Sequence, residues 1–134
     1  MYTINSLLGR IGLSVIFILS GIGKIAAYAG TQQYMASAGV PGFLLPLVIL
    51  VEVGGGLFIL AGAFTRATAV ILALFTLAAG LLFHANVADQ NQFIHLLKNI
   101  AIAGGFFTLA AHGAGPLSVD ALRRKRAGGV PVTV

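Results

Sequence analysis

Four apolar stretches, each close to 20 residues long, limit what this chain can fold into more than any other feature. A hydrocarbon core about 30 Å thick is crossed by about 20 helical residues. Residues 7–28, 43–63, 66–88 and 93–112 each meet that length while carrying few charges. The spacing predicts four transmembrane helices, an all-α integral membrane bundle formed by a single domain of 134 residues. Composition agrees. Only 8% of residues are charged and 58% are hydrophobic, whereas a soluble domain carries about 25% charged residues. Lipid must replace water as the main solvent.

The connections read as breaks. Gly39, Pro41 and Gly42 close the first, which is long enough for a short helix lying in the membrane interface. Phe64-Thr65-Arg66 makes a tight turn, NVADQNQ (86–92) a polar loop, and Gly113, Gly115 and Pro116 stop the last span. The loops at 29–42 and 85–92 contain no Lys or Arg, while Arg10, Arg66 and Arg123-Arg124-Lys125-Arg126 all fall on the opposite side. The positive-inside rule then predicts that both termini are cytoplasmic. In the tail, residues 117–134, Ser118 is placed to cap a short helix resting on the inner leaflet. Its four basic residues, Arg123, Arg124, Lys125 and Arg126, are expected to meet lipid headgroups rather than nucleic acid.

The chain has no cysteine. Disulfides, thiol redox chemistry and cysteine metal sites are therefore excluded. No intrinsic cofactor is expected, and electron transfer would need an outside carrier. The three histidines show no tight ligand motif, and no metal site is expected.

The segment VILVEVGGGLFILAG (48–62) places Glu52 near the middle of the second span. By helical rise, Lys24 lies about 10 Å outward of the first span's midpoint and Lys98 about 7 Å outward in the fourth. His84 comes to a similar depth, and Arg10 sits in the inner half of the first span. A charge costs on the order of 3 kcal/mol at a helix centre on insertion scales, so such groups face a bundle interior or a wet cavity. His95, Lys98 and Asn99 follow an i, i+3, i+4 pattern that makes one face. Gly54, Gly55 and Gly56 beside Glu52, and Gly105 on the fourth span, remove bulk for close packing. One polar constellation is expected in the outer half: Lys24, Glu52, His84 and Lys98, with His95 and Asn99. It reads either as a buried ion pair that fixes register or as a pocket for an anionic or carbonyl-bearing ligand. The second lysine favours a ligand, since one carboxylate cannot neutralise two amines. Phe58, Phe83 and Phe106 are available to wall such a pocket.

Taken in order, Gly9-Arg10-Ile11-Gly12, GIGK (21–24), AGTQQYMASAGVPG, EVGGGLFILAGAFTR (52–66), KNIAIAGG (98–105) and GAGPLSVD (113–120) resemble the DoxX family of small four-span bacterial membrane proteins. The resemblance covers residues 8–122. It implies a four-helix bundle in the bacterial cytoplasmic (inner) membrane. Arg10, Lys24, Glu52, Arg66, Lys98 and Asp120 fall on the family's recurrent polar positions. Some relatives are subunits of thiosulfate:quinone oxidoreductase, and others accompany membrane oxidoreductase complexes, so quinone or quinol becomes the expected ligand class and an oxidoreductase subunit the expected partner. A permeation role for a small solute, lipid or proton, with a homo-oligomer needed to complete a path, and a purely structural role are the alternatives.

Overall fold

The computed structural model describes residues 1–128. They form six helices: α1 (Tyr2–Ala26), α2 (Tyr28–Ser37), α3 (Gly42–Ala61), α4 (Thr65–Phe83), α5 (Gln90–His112) and α6 (Val119–Arg126). No strand occurs among the described residues. Helices α1, α3, α4 and α5 are each long and apolar enough to cross a membrane. The expected spans are therefore all present, with shifted edges. The third ends at Phe83 rather than near residue 88. Beyond it, Asn86 accepts a hydrogen bond from the Ala88 amide and Asp89 one from the Gln92 amide. Such local side-chain bonds compete with helix and favour a turn followed by a cap. Helix α2 is the short helix expected in the first connection, and Ser118 caps α6 by accepting from the Ala121 amide.

Helix α3 is one rod with three regimes. It opens with a 3₁₀ turn at Gly42–Leu44, carries Pro46 in its first α-helical turn, and widens into a π turn at Leu50–Gly54. It stops at Gly62, which takes the left-handed conformation (φ 68°) that favours glycine. Phe64 is the one non-glycine residue with positive φ (48°) among those described.

Helix α1 packs along α3 and α4 along α5, whereas α1 and α5 touch little. The core contains Phe17, Ile59, Leu72 and Phe106, with the Phe17 ring edge-on to Phe106 at 5.3 Å. Large apolar side chains such as Leu19, Leu50, Leu74 and Leu81 are exposed on the outward faces. Water would not tolerate so continuous an apolar exterior, and lipid does.

Two ends follow from the contacts. The start of α1, the α3–α4 turn, the end of α5 and α6 meet at what is here termed the basic end. Helix α2 and the end of α4 meet at the other, the loop end, where Tyr34 stacks on Phe83 at 5.3 Å.

Candidate functional site

Glu52 sits inside the π turn of α3. One extra residue in that turn interrupts the regular ladder, and π turns recur at functional positions in helices. The carboxylate is 5% exposed at the residue level. Close helix contact brings α1 against it. A methyl group at Gly21 would collide with the Val53 side chain, and one at Gly56 would lie 2.8 Å from Ile18. Glycines at both places let the backbones approach.

Three side chains then meet. Lys24 Nζ lies 3.0 Å from Glu52 Oε2 and donates to Oε1 at 3.1 Å and to Ser20 Oγ at 2.7 Å. Ser20 donates to Oε1 at 3.4 Å. Oε2 receives the charge of Lys24 but no aligned hydrogen bond. Both Lys24 and Ser20 lie on α1, one turn apart, so a single helix face supplies both partners.

This group lies on the wall of two cavities. The larger, about 330 Å³, runs under α2 towards the loop end and is lined by Lys24, Glu52, Tyr34, Phe75, Phe83 and His84 among others. The smaller, about 160 Å³, lies between α1, α4 and α5 and is lined by Phe17, Ser20, Glu52, Phe75 and Asn99 among others. Glu52, Phe75 and Ala79 border both.

His84 follows the last residue of α4 and stacks on His95 with ring centroids 4.9 Å apart. Burial first, and the neighbouring His95 second, hold the His84 imidazole below its ordinary pKa. A neutral ring at the rim can donate one hydrogen bond and accept another. Asn99 reaches across from α5, packs on Gly80 and donates to the Thr76 carbonyl at 3.3 Å.

Other sequence-derived expectations need correction. Lys98 is exposed, makes no ion pair among the described residues and lines neither cavity. His95, Lys98 and Asn99 were expected on one face, but the helix turns 100° between Lys98 and Asn99, and it is Asn99 that points inward. Beside Glu52 the charges therefore balance, one amine to one carboxylate, and the case for a ligand there rests on the cavities instead. A methyl group at Gly54 would meet nothing closer than Leu50, at 3.9 Å, so Gly54 is not a packing glycine. Gly55 against Leu72 and Gly105 against Leu13 are. Phe58 is exposed and Phe106 lies in the core, so of these three phenylalanines Phe83 alone walls the larger cavity, where Phe75 joins it. Arg123, Arg124, Lys125 and Arg126 are exposed on α6. Residues 129–134 of the tail lie outside the described residues.

Arg10 belongs to a different group, at the basic end. It is 1% exposed. It donates to the Leu60 carbonyl at 3.3 Å and to the Leu117 carbonyl. Asp120 accepts from the amides of Phe64 and Thr65 at 2.8 and 2.9 Å, capping α4 from a distant segment. The Asp120 amide donates to the Gly62 carbonyl at 2.9 Å. GAFTR at 62–66 and GPLSVD at 115–120 thus form one latch around Arg10. The sequence marked these motifs without revealing that they touch.

A family profile for DoxX matches residues 6–85. The chain is 51% identical over 123 residues to inner membrane protein YqjF of Escherichia coli K12, covering 92% of this chain and 95% of that protein. It is 38% identical to inner membrane protein YphA of the same organism over 121 residues, 85% of this chain and 86% of the relative. CatD of Bacillus subtilis 168, named as a candidate oxidoreductase, is 32% identical over 78 residues, 58% of each chain. No solved structure matches.

Proposed function

The chain belongs to the DoxX family, and from that premise we propose that it is a multi-pass inner membrane protein serving a membrane redox system by binding a quinone or similar small aromatic beside Glu52. The observation that carries this reading is the Lys24–Glu52 pair on the wall of an apolar cavity of about 330 Å³. That volume falls within the range of small-molecule sites, which are mostly apolar with a few convergent polar groups. The residues fit the chemistry of a quinone. Lys24 donates a hydrogen bond to a carbonyl oxygen, and Glu52, 3.1 Å away through Oε1, relays from water, one after the other, the two protons that two-electron reduction to the quinol consumes. Tyr34, Phe75 and Phe83 supply aromatic walls. The electrons come from a partner oxidoreductase, since the chain contains no thiol. The name of the Bacillus relative is consistent with that class.

The test is the organic extract of protein removed gently from its native membranes. Quinone near one per chain is expected in the wild type and in Lys98→Met, and its loss in Glu52→Gln. Wild-type protein that folds normally and carries no quinone refutes the reading.

A second reading rests on Glu52 bordering both cavities, an arrangement that also suits stepwise passage of a proton or small solute. Proteoliposomes containing the wild type would then show a flux absent in Glu52→Gln. No flux for protons or small anions removes this alternative.

A further inference from the structure

A third cavity lies far from Glu52. It occupies about 580 Å³ between α1 and α5 at the basic end. Tyr2, Asn5 and Gly9 line it from one helix, Thr108 and His112 from the other, and Arg10 forms its inner wall. The space exists because α1 and α5 barely touch and because Gly9 and Gly105 present no side chain.

Arg10 makes this groove more than a gap. Two guanidinium nitrogens are spent on the carbonyls of Leu60 and Leu117, whereas Nε is buried without a partner. No carboxylate lies within ion-pair distance of Arg10 among the described residues. Asp120 is the nearest negative group, and its two oxygens already serve the amides of Phe64 and Thr65. The hydrogen bonds of a buried positive charge thus go to neutral carbonyls only, and Asp120 acts on it from beyond ion-pair distance, a costly arrangement that a nearby anion relieves. The first turn of α1 adds partial positive charge on the same side. The rim of the groove offers the Asn5 amide and the Tyr2 hydroxyl, neither with a partner among the described residues. Next in sequence to lining residues, Ile4, Leu8 and Phe107 are exposed and apolar. A soluble anion gains nothing from them, whereas acyl chains do.

We propose that this groove is a binding site for an anionic phospholipid, its headgroup phosphate held over Arg10 by Asn5 and Tyr2 and its acyl chains laid along α1 and α5. The site is distinct from the exposed basic residues of α6, which attract any anionic surface without shape.

Native mass spectrometry of detergent-purified protein tests this with phosphatidylglycerol and phosphatidylcholine of identical acyl chains. The wild type should retain one phosphatidylglycerol with a preference of about fivefold, the order expected for one basic group acting on an anionic lipid. Thr108→Phe fills the groove from an exposed position, and Gly9→Leu fills it from a point with open space around it. Each should abolish the preference while leaving the thermal midpoint in place. The variant with Arg123, Arg124, Lys125 and Arg126 all changed to Gln should keep it. Equal retention of both lipids overturns the proposal, as does a preference that survives both filled variants. Loss in the α6 variant alone would assign the lipid to the tail and overturn it too. Displacement of the lipid by excess inorganic phosphate would assign the groove to a soluble anion, with the same consequence.

Discussion

A methyl group added at Gly62 would strike Arg10 and Ser118, at a residue whose φ of 68° already disfavours a side chain. Eight positions earlier, a methyl at Gly54 would meet only Leu50, at 3.9 Å. Gly62→Ala should therefore lower the thermal midpoint in detergent, with a loss of about 1–3 kcal/mol. Gly54→Ala should be neutral or raise stability by up to about 1 kcal/mol through helix propensity. Similar melts for the two variants would contradict the packing described. The two lysines divide in the same way. Lys24→Met strands Glu52 in a buried position and should cost about 3–5 kcal/mol. Lys98→Leu removes an exposed charge and should change stability by less than about 0.5 kcal/mol. Unfolding midpoints of the two variants separate these cases. Depth was readable from the sequence, because rise per residue places every charge along its helix. Rotation was not. One position separates Asn99, turned inward, from Lys98, turned out, and only contact with Gly80 decides which of them faces the bundle.

Among the elements, α3 and the α3–α4 turn carry most of the constraint. The span itself was legible because apolar length is a property of the sequence alone. The π turn around Glu52 was not, since no local signal in the sequence marks where a helix takes in an extra residue. The Asp120 cap was equally hidden, lying 55 residues from the amide of Thr65. It can be tested through pH. Burial raises the Asp120 pKa, but the amides of Thr65 and Phe64 and the charge of Arg124 outweigh it and hold the group below 3.8. An acid whose folded pKa is depressed stabilises the fold fully above its unfolded value, and that contribution is lost as pH falls through the folded one. Asp120→Asn should cost about 1–2 kcal/mol at neutral pH. The gap between wild-type and variant midpoints should stay constant down to mildly acidic pH and close only below 3.8. A gap that closes nearer neutrality would contradict the depressed pKa of Asp120 and the cap that causes it.

At the scale of the whole molecule, α1 joins two polar assemblies that share no side chain. Arg10 organises the latch at the basic end, and Lys24 pairs with Glu52 beside the cavities at the other. Fourteen residues of helix separate them, about 21 Å. Between them lies the core that contains Phe17, Leu72 and Phe106. This division explains why the motifs of the chain look scattered in sequence yet fall into two groups in space. GR, GAFTR and GPLSVD build the latch, and GIGK with EVGGG builds the cavity wall. Substitutions more than about 7–10 Å apart with no common partner add to within about 0.5 kcal/mol. The double variant Lys24→Met with Asp120→Asn should therefore lose the sum of the two single losses, measured as denaturation free energies under one set of conditions. A double variant appreciably less destabilised than that sum would mean that α1 shifts as a rigid rod, so that loosening one end already releases the other. The latch would then govern the position of Lys24 beside Glu52, and lipid bound over Arg10 would reach the cavity by the same route.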